Sequence, residues 1–232
     1  MGGVSPQPSY VIGSSGQVND LTEAERKHLD AAPWVFTVNS FLSHWEIAGF
    51  RPSAWIFGDN NRSDLVDEAA LELSVIANDV LLIQRLRHVF LAVEEYEREI
   101  RQAAMDWGIP AKFFRRGQPW AKGQVLADSL DGRIYHYGST LTNAVNLAAI
   151  LNPGGEIRLF GCEYAFNSDH FWQPERWWHP HSKEQAFWIK VKQTLWRGYR
   201  SLYDNGVPLL DCCRSHTDLP AELRLPTGNL LD

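Results

Sequence analysis

The sequence contains few cysteines and no apolar run long enough to cross a membrane. Of the three cysteines in 232 residues, Cys212 and Cys213 are adjacent, so they do not form the spaced, even-numbered framework of a small secreted protein. The start of the chain has neither an apolar signal core nor a charged leader, and no stretch approaches the roughly 20 apolar residues of a transmembrane helix. We therefore expect a protein of the reducing cytoplasm without a transmembrane segment.

Positive charge is also scarce. Lys and Arg number 22 against 28 Asp and Glu, which gives a formal net charge of −6. Nucleic acids and acidic membranes are bound largely through Lys and Arg, so this balance argues against a nucleic-acid partner. The one basic patch comprises Lys112, Arg115, Arg116 and Lys122. With 44% hydrophobic and 22% charged residues, the composition is that of a globular chain with a packed core.

The length and the pattern of the chain indicate one α/β domain. We predict a disordered N-terminal extension over residues 1–9 and a single domain over residues 10–232. Apolar, β-favouring runs alternate with helical periodicity, which is typical of a doubly wound, mainly parallel sheet with helices on both faces, a Rossmann-like architecture. The predicted strands are Tyr10–Ile12, Trp34–Val38, Ala54–Phe57, Val80–Ile83, Ile134–Tyr137, Glu156–Phe160 and Val207–Cys212. One predicted helix begins near Thr22. The other predicted helices cover Asp67–Ala77, Val93–Met105, Leu141–Leu151 and Lys183–Tyr203.

Small or polar residues follow the predicted strands at their carboxyl ends, the edge where open parallel sheets bind ligands. The first such turn, 13–16, could admit a phosphate or a ribose, but an ordinary strand-to-helix turn explains it equally well. Its spacing matches neither the dinucleotide fingerprint nor the P-loop, so NAD binding and ATP hydrolysis lose support. Ser139 and Thr140 precede a well-signalled helix, where N-capping and anion binding are compatible roles.

Tryptophan and histidine are concentrated in residues 167–182, which we predict to form a loop. Each of the ten tryptophans could be a core anchor, whereas those near histidines could form a stacking surface for a sugar or a base. His170, His179 and His181 could bind a metal, but their spacing matches no recognised metal site. Acid–base catalysis is favoured over metal binding, because a histidine that titrates near neutral pH can deprotonate a hydroxyl nucleophile.

Six segments, in their order and spacing, resemble the family 42 bacterial sialyltransferases and related domains of unknown or pterin-kinase function. They are YVIGSSGQ, WVFTVNSF, SAWIFGDNN, HYGSTLTNAVNLAAIL, EIRLFGCEYAF and HPHSKEQAFWIKV. The resemblance covers roughly residues 10–60 and 134–213, which hold most of the predicted sheet. The resemblance implies a nucleotide-binding enzyme on the fold that the strand pattern predicts.

The resemblance implies nucleotide ligands at strand ends and at one helix start: Gly13, Ser14, Ser15, Asn39, Asp59, Asn60, Ser139 and Thr140. Asn39 matches the asparagine that ends the family's second strand and contacts the nucleotide. Ser139 and Thr140 match a turn that meets the nucleotide phosphate. The sequence departs from the family at two of these places, because Ser14 replaces the usual asparagine and no glycine follows Ser139.

The resemblance also implies an inverting, metal-independent reaction that needs no cofactor. A sialic-acid-like or related sugar would move from a CMP-activated donor to an acceptor hydroxyl. The expected partners are therefore a nucleotide sugar and a glycan acceptor. The protein could also form a homo-oligomer. His181 matches the general base of the family's His-Ser-Lys segment, and Tyr164 falls near the tyrosines, commonly two, that bond the departing phosphate. The implied acceptor contacts are Trp172, Trp177, Trp178 and His179.

Two other functions stay open on the residues alone. A pyrophosphokinase-like transferase on the same sheet would use ATP and a metal at Asp59, and a metal requirement would identify it. A non-catalytic carbohydrate-binding domain would bind through its tryptophans and would have no nucleotide affinity.

Overall fold

The computed structural model describes residues 6–58, 63–93, 96–117, 127, 129–131, 133–137, 139–162, 170–172, 182–214 and 219–232. Within these ranges, strands and helices alternate along most of the chain. The strands are β1 Ser9–Ile12, β2 Val35–Val38, β3 Ala54–Phe57, β4 His88–Ala92, β5 Lys112–Gly117, β6 Arg133–Tyr135, β7 Ile157–Phe160 and β8 Leu209–Asp211. The α-helices are α1 Glu23–Ala31, α2 Trp45–Ala48, α3 Ser63–Asn78, α4 Val80–Arg85, α5 Glu97–Asp106, α6 Thr140–Leu151 and α7 Ser182–Asp204.

The eight strands form one parallel sheet in the order β6-β5-β4-β3-β2-β1-β7-β8. The chain winds outward from β1 to β6 and then returns to the other side of β1. The connection after β1 leads to α1 on one face of the sheet, and α7, which follows β7, packs on the opposite face. The predicted doubly wound, Rossmann-like fold is thus confirmed. Its topological switch point lies between β1 and β7, the place where such sheets bind ligands.

Both faces of the sheet are covered, and the strand residues alternate between the two covers. Val11 of β1 packs in a cluster with α6 and α7, whereas its neighbours Tyr10 and Ile12 pack with α1. In β3, Ile56 faces α6 while Trp55 packs with α3 and α5. A strand that is buried on both faces needs apolar residues at successive positions, which explains the apolar runs Tyr10–Ile12 of β1 and Ala54–Phe57 of β3.

Several predicted elements are confirmed within one to a few residues. β1 starts at Ser9, a fully buried residue one place before the predicted start of the domain. The predicted helix at 141–151 is α6, and Ser139 is its N-cap, as the Ser-Thr signal indicates. None of the helices in the described ranges has the length and apolar character of a bilayer-spanning segment.

The prediction of a strand over Val80–Ile83 was wrong, since this run forms helix α4. The Asp79 carboxylate accepts hydrogen bonds from the backbone N–H groups of Leu81 and Leu82, which starts a helix. Of the apolar residues in the run, only Leu82 is buried, whereas a strand inside a parallel sheet would bury them all.

Two strands were not predicted. β4 has an apolar sequence that directly follows Arg85 and Arg87, and β5 carries Lys112, Arg115 and Arg116 on a strand next to the sheet edge. The predicted helix over Val93–Met105 begins only at Glu97, because Val93 still bonds the sheet through the Phe114 carbonyl. Gly117 ends β5, and residues 118–126 lie outside the described residues.

Candidate functional site

The turns after β1 and β7 touch through their backbones at the switch point. Gly13 N donates to Phe160 O at 2.8 Å, and a Cβ atom on Gly13 would lie only 2.1 Å from the Gly161 carbonyl oxygen. Gly161 itself adopts a positive φ of 65°, which a side chain would strain. Glycine at 13 is therefore required for the close approach of the two turns, whatever it does for a ligand.

Ser14 joins this turn to the short described segment 170–172. His170 Nδ1 lies 3.1 Å from Ser14 Oγ, and Phe171 N donates to Ser14 O at 3.0 Å. Phe171 is buried against the ring of Phe41, which anchors the segment in the core. Ser15 caps the turn at 16–20 by accepting from Gln17 N, so this predicted ligand has a local structural role.

Trp172 lies between two imidazole rings. The ring centroid of His170 is 4.5 Å from that of Trp172 at an interplanar angle of 1°, and His44 stacks at 4.4 Å and 15°. Burial, and secondarily the nearby His170, lowers the pKa of His44 below its ordinary value, which favours the neutral ring. A sugar could stack on Trp172 only after one imidazole moved, so the acceptor role expected for this residue stays a prediction.

Asn39 directly follows β2 and adopts the left-handed region, at φ 48°. Its backbone oxygen accepts from Trp55 Nε1 at 2.7 Å, and its Oδ1 accepts from Gly58 N at 3.2 Å. Asparagine tolerates this conformation better than most residues because its short polar side chain can bond locally. The carboxamide thus lies between the carboxyl ends of β2 and β3, where a nucleotide ligand is expected.

The first turn of α6 meets the end of β3. A Cβ atom on Gly58 would lie 2.4 Å from Thr140 Oγ1, so the strand end and the helix start are in close contact. Thr140 is 4% exposed, and its hydroxyl has no hydrogen-bond partner within the described part of the chain. Ser139 Oγ accepts from Leu141 N at 3.2 Å, and the first turn holds no acidic residue. A helix start of this kind favours an anion.

The structure brings some of the predicted residues together. Asn39 and Thr140 both contact Gly58, and Ser14 lies at the end of β1, the strand next to β2. Asp59, Asn60, Tyr164, Trp177, Trp178, His179 and His181 lie outside the described residues; His181 immediately precedes α7.

Other residues at this edge were not predicted to have site roles. They are His44, Glu68 and Glu72, and the two glutamates bond the serines of the turn at 39–44; His170, considered above only as a metal ligand, here contacts Ser14. The aromatic and histidine-rich sequence around His170 indicates a site role for that residue. Nothing in the sequence indicates that Glu68 and Glu72 contact the turn at 39–44. Among the described residues, no group of three His, Cys, Asp or Glu side chains is arranged to hold a metal ion.

No protein-family model matches the chain, and no curated protein matches it. The family resemblance therefore stays a prediction, and the function is inferred from the site.

Proposed function

We propose that the protein is a glycosyltransferase that moves a sialic-acid-like or related sugar from a CMP-activated donor to an acceptor hydroxyl, with inversion and without a metal. The observation that carries the proposal is the unpartnered, buried hydroxyl of Thr140 at the start of α6, in contact with the end of β3. Buried polar groups are almost always hydrogen-bonded, and an unpartnered one in a native fold calls for an explanation. A phosphate oxygen would supply the partner.

The chemistry of a nucleotide donor fits this position. The positive end of the α6 dipole and the hydroxyl of Thr140 favour a phosphate that gains negative charge as it leaves. Preorganised donors of this kind stabilise a leaving group without a metal ion. Asn39 and Ser14, at the ends of adjacent strands, would then hold the nucleoside part of the donor.

His181 would act as the general base. It would remove the proton of the acceptor hydroxyl, whose oxygen attacks the anomeric carbon from the side opposite to the phosphate. The bond between that carbon and the phosphate oxygen breaks as the new bond forms. CMP leaves, and the transferred sugar has inverted anomeric configuration. Tyr164 would donate a hydrogen bond to the departing phosphate.

A thermal-shift series tests the donor. CMP at one hundred times its Kd should stabilise the protein by about 2.7 kcal/mol, which raises Tm by about 5–10 °C, with EDTA present. A rise only with ATP and magnesium would favour the pyrophosphokinase-like function instead. No rise with any nucleotide, together with binding of a glycan, would favour a carbohydrate-binding domain.

Turnover of two histidine variants tests the base. His181→Ala should lower transfer about a hundredfold to ten-thousandfold and leave the CMP affinity unchanged, because a base acts on the acceptor. His179→Ala is the comparison: as an implied acceptor contact it should raise the acceptor KM but leave kcat largely unchanged. Equal loss in both variants, with loss of a bound metal, would contradict the base assignment.

A further inference from the structure

Two carboxylates of α3 hold the turn that begins at Asn39. The hydroxyl of Ser40 donates to Glu68 Oε1, and the hydroxyl of Ser43 donates to Glu72 Oε1. Ser43 N also donates to Glu72 Oε2 at 3.0 Å. Glu68 and Glu72 are four residues apart, so both lie on the same face of α3, the face that is turned toward this segment.

Burying the Glu72 carboxylate at this place carries a large desolvation penalty. Its side chain is 1% exposed, and no Lys or Arg in the described ranges pairs with either carboxylate. Burial, opposed by the hydrogen bonds from Ser43, raises the pKa of Glu72 to about 7. An apolar residue of similar size would avoid this desolvation cost. A role for Glu72 in setting the geometry of the turn would account for its presence.

The turn determines the backbone conformation of Asn39 and the position of its carboxamide. This residue has a positive φ, which asparagine tolerates better than other residues except glycine but which still costs free energy, so the surrounding contacts help to hold it. The serine anchors lie one and four residues after Asn39, and the Trp55 and Gly58 bonds fix Asn39 itself. Together they hold its carboxamide against the end of β3.

We propose that Glu68 and Glu72 are positioning residues of the nucleotide site, which hold the turn after β2 so that the Asn39 carboxamide can bond the nucleotide. The inference rests on the proposed function. It adds that Glu68 and Glu72 fix the position of Asn39 before the nucleotide binds. The glutamates do not touch the ligand. They act on it through the serines and Asn39.

A double-mutant cycle tests this link with CMP as the probe. Glu72→Ala should weaken CMP binding about fivefold to tenfold, the size of one neutral hydrogen bond. Asn39→Gly keeps a residue that tolerates positive φ but removes the carboxamide, and it should weaken CMP binding to the same extent. In the Asn39→Gly background, Glu72→Ala should have no further effect, because the two changes remove one shared contact.

Two further measurements separate positioning from general destabilisation. Glu72→Gln keeps an acceptor oxygen for Ser43 and should restore most of the CMP affinity, and Glu99→Ala, at an exposed glutamate of α5, should not change it. Hydrogen exchange of residues 39–44 should rise at least tenfold in a Glu68→Ala/Glu72→Ala variant with the rest of the sheet unchanged.

The outcomes are distinct. Additive effects of Glu72→Ala and Asn39→Gly, or unchanged exchange at 39–44, would overturn the positioning role even if CMP binds well. A wild-type protein that does not bind CMP would overturn the proposed function and the nucleotide role of Glu68 and Glu72 together. The exchange result would still show whether these two carboxylates hold the turn.

Discussion

At the scale of single residues, Thr140 and Thr142 form a natural comparison on α6. Both are buried, but Thr142 Oγ1 donates to Ser139 O at 2.6 Å and accepts from Tyr137 N at 3.0 Å, whereas the Thr140 hydroxyl has no partner among the described residues. The two side chains are the same size. Their difference is therefore one of hydrogen bonding, and we attribute it to a ligand at Thr140.

Thr140→Val should separate stability from binding. The valine replaces an unpartnered hydroxyl with a methyl group, so the free energy of unfolding should stay the same or rise by up to about 1 kcal/mol. CMP binding should weaken about 10- to 100-fold, since a hydrogen bond to a charged phosphate is lost. Chemical denaturation and calorimetry measure the two quantities.

Thr142→Val is the control for that substitution. It leaves the buried Tyr137 N–H without its acceptor and should lower the free energy of unfolding by about 1–3 kcal/mol. A loss of stability in Thr140→Val as large as in Thr142→Val would mean that the Thr140 hydroxyl is already satisfied.

At the scale of elements, α6 and β3 approach so closely that a side chain at Gly58 has no room. Gly58→Ala should lower the free energy of unfolding by about 1–3 kcal/mol, because its Cβ would meet Thr140 Oγ1 at 2.4 Å and Cγ2 at 2.6 Å. The cost should shrink when Thr140→Ala is also present, since that change removes both atoms. Additive costs in the double variant, measured by urea denaturation, would contradict this packing.

Helix α3 gives the fold a dependence on pH. The pKa of Glu72 rises from 4.5 to about 7 on folding, so the folded state keeps a proton that the unfolded state releases. Stability from this group is present below pH 4.5 and falls by about 3 kcal/mol as pH rises to 7. Glu72→Gln should therefore be more stable relative to wild type at pH 8 than at pH 4.5. An unchanged difference between the two proteins across this range would contradict the buried position of Glu72.

Elements with a strong local pattern could be predicted from the sequence. β1, β2, β3 and β7 are apolar runs followed by turn residues, and α6 has a cap at its start and a Pro-Gly-Gly stop after it. β5 could not be predicted from local pattern, because a strand near a sheet edge keeps its charged residues in water. The Val80–Ile83 run, in contrast, is apolar and was wrongly predicted as a strand. It forms a helix because the Asp79 carboxylate caps its start.

At the scale of the whole molecule, the carboxyl edge of the sheet is joined by contacts between residues far apart in sequence. Ser43, held by Glu72, precedes His44, which stacks on Trp172, and His170 on the other side of that ring contacts Ser14. Sequence reasoning could place Ser14, Asn39 and Thr140 at this edge because each follows a strand or starts a helix. It could not predict that His44 and His170 stack on Trp172, or that Glu68 and Glu72 bond the serines of the turn at 39–44. Both arrangements depend on tertiary contacts that leave no local pattern in the sequence.

The most direct measurement of the central claim is a crystal structure with CMP bound. We expect the phosphate within hydrogen-bond distance of Thr140 Oγ1 at the start of α6, and the nucleoside alongside Asn39 and Ser14. The cleft of about 450 Å³ between α5 and the β5–β6 edge, which Arg101, Arg115, Arg133 and Asp131 line, offers an alternative position for an anion. CMP bound in that cleft, with Thr140 still unpartnered, would contradict the assignment of the nucleotide site.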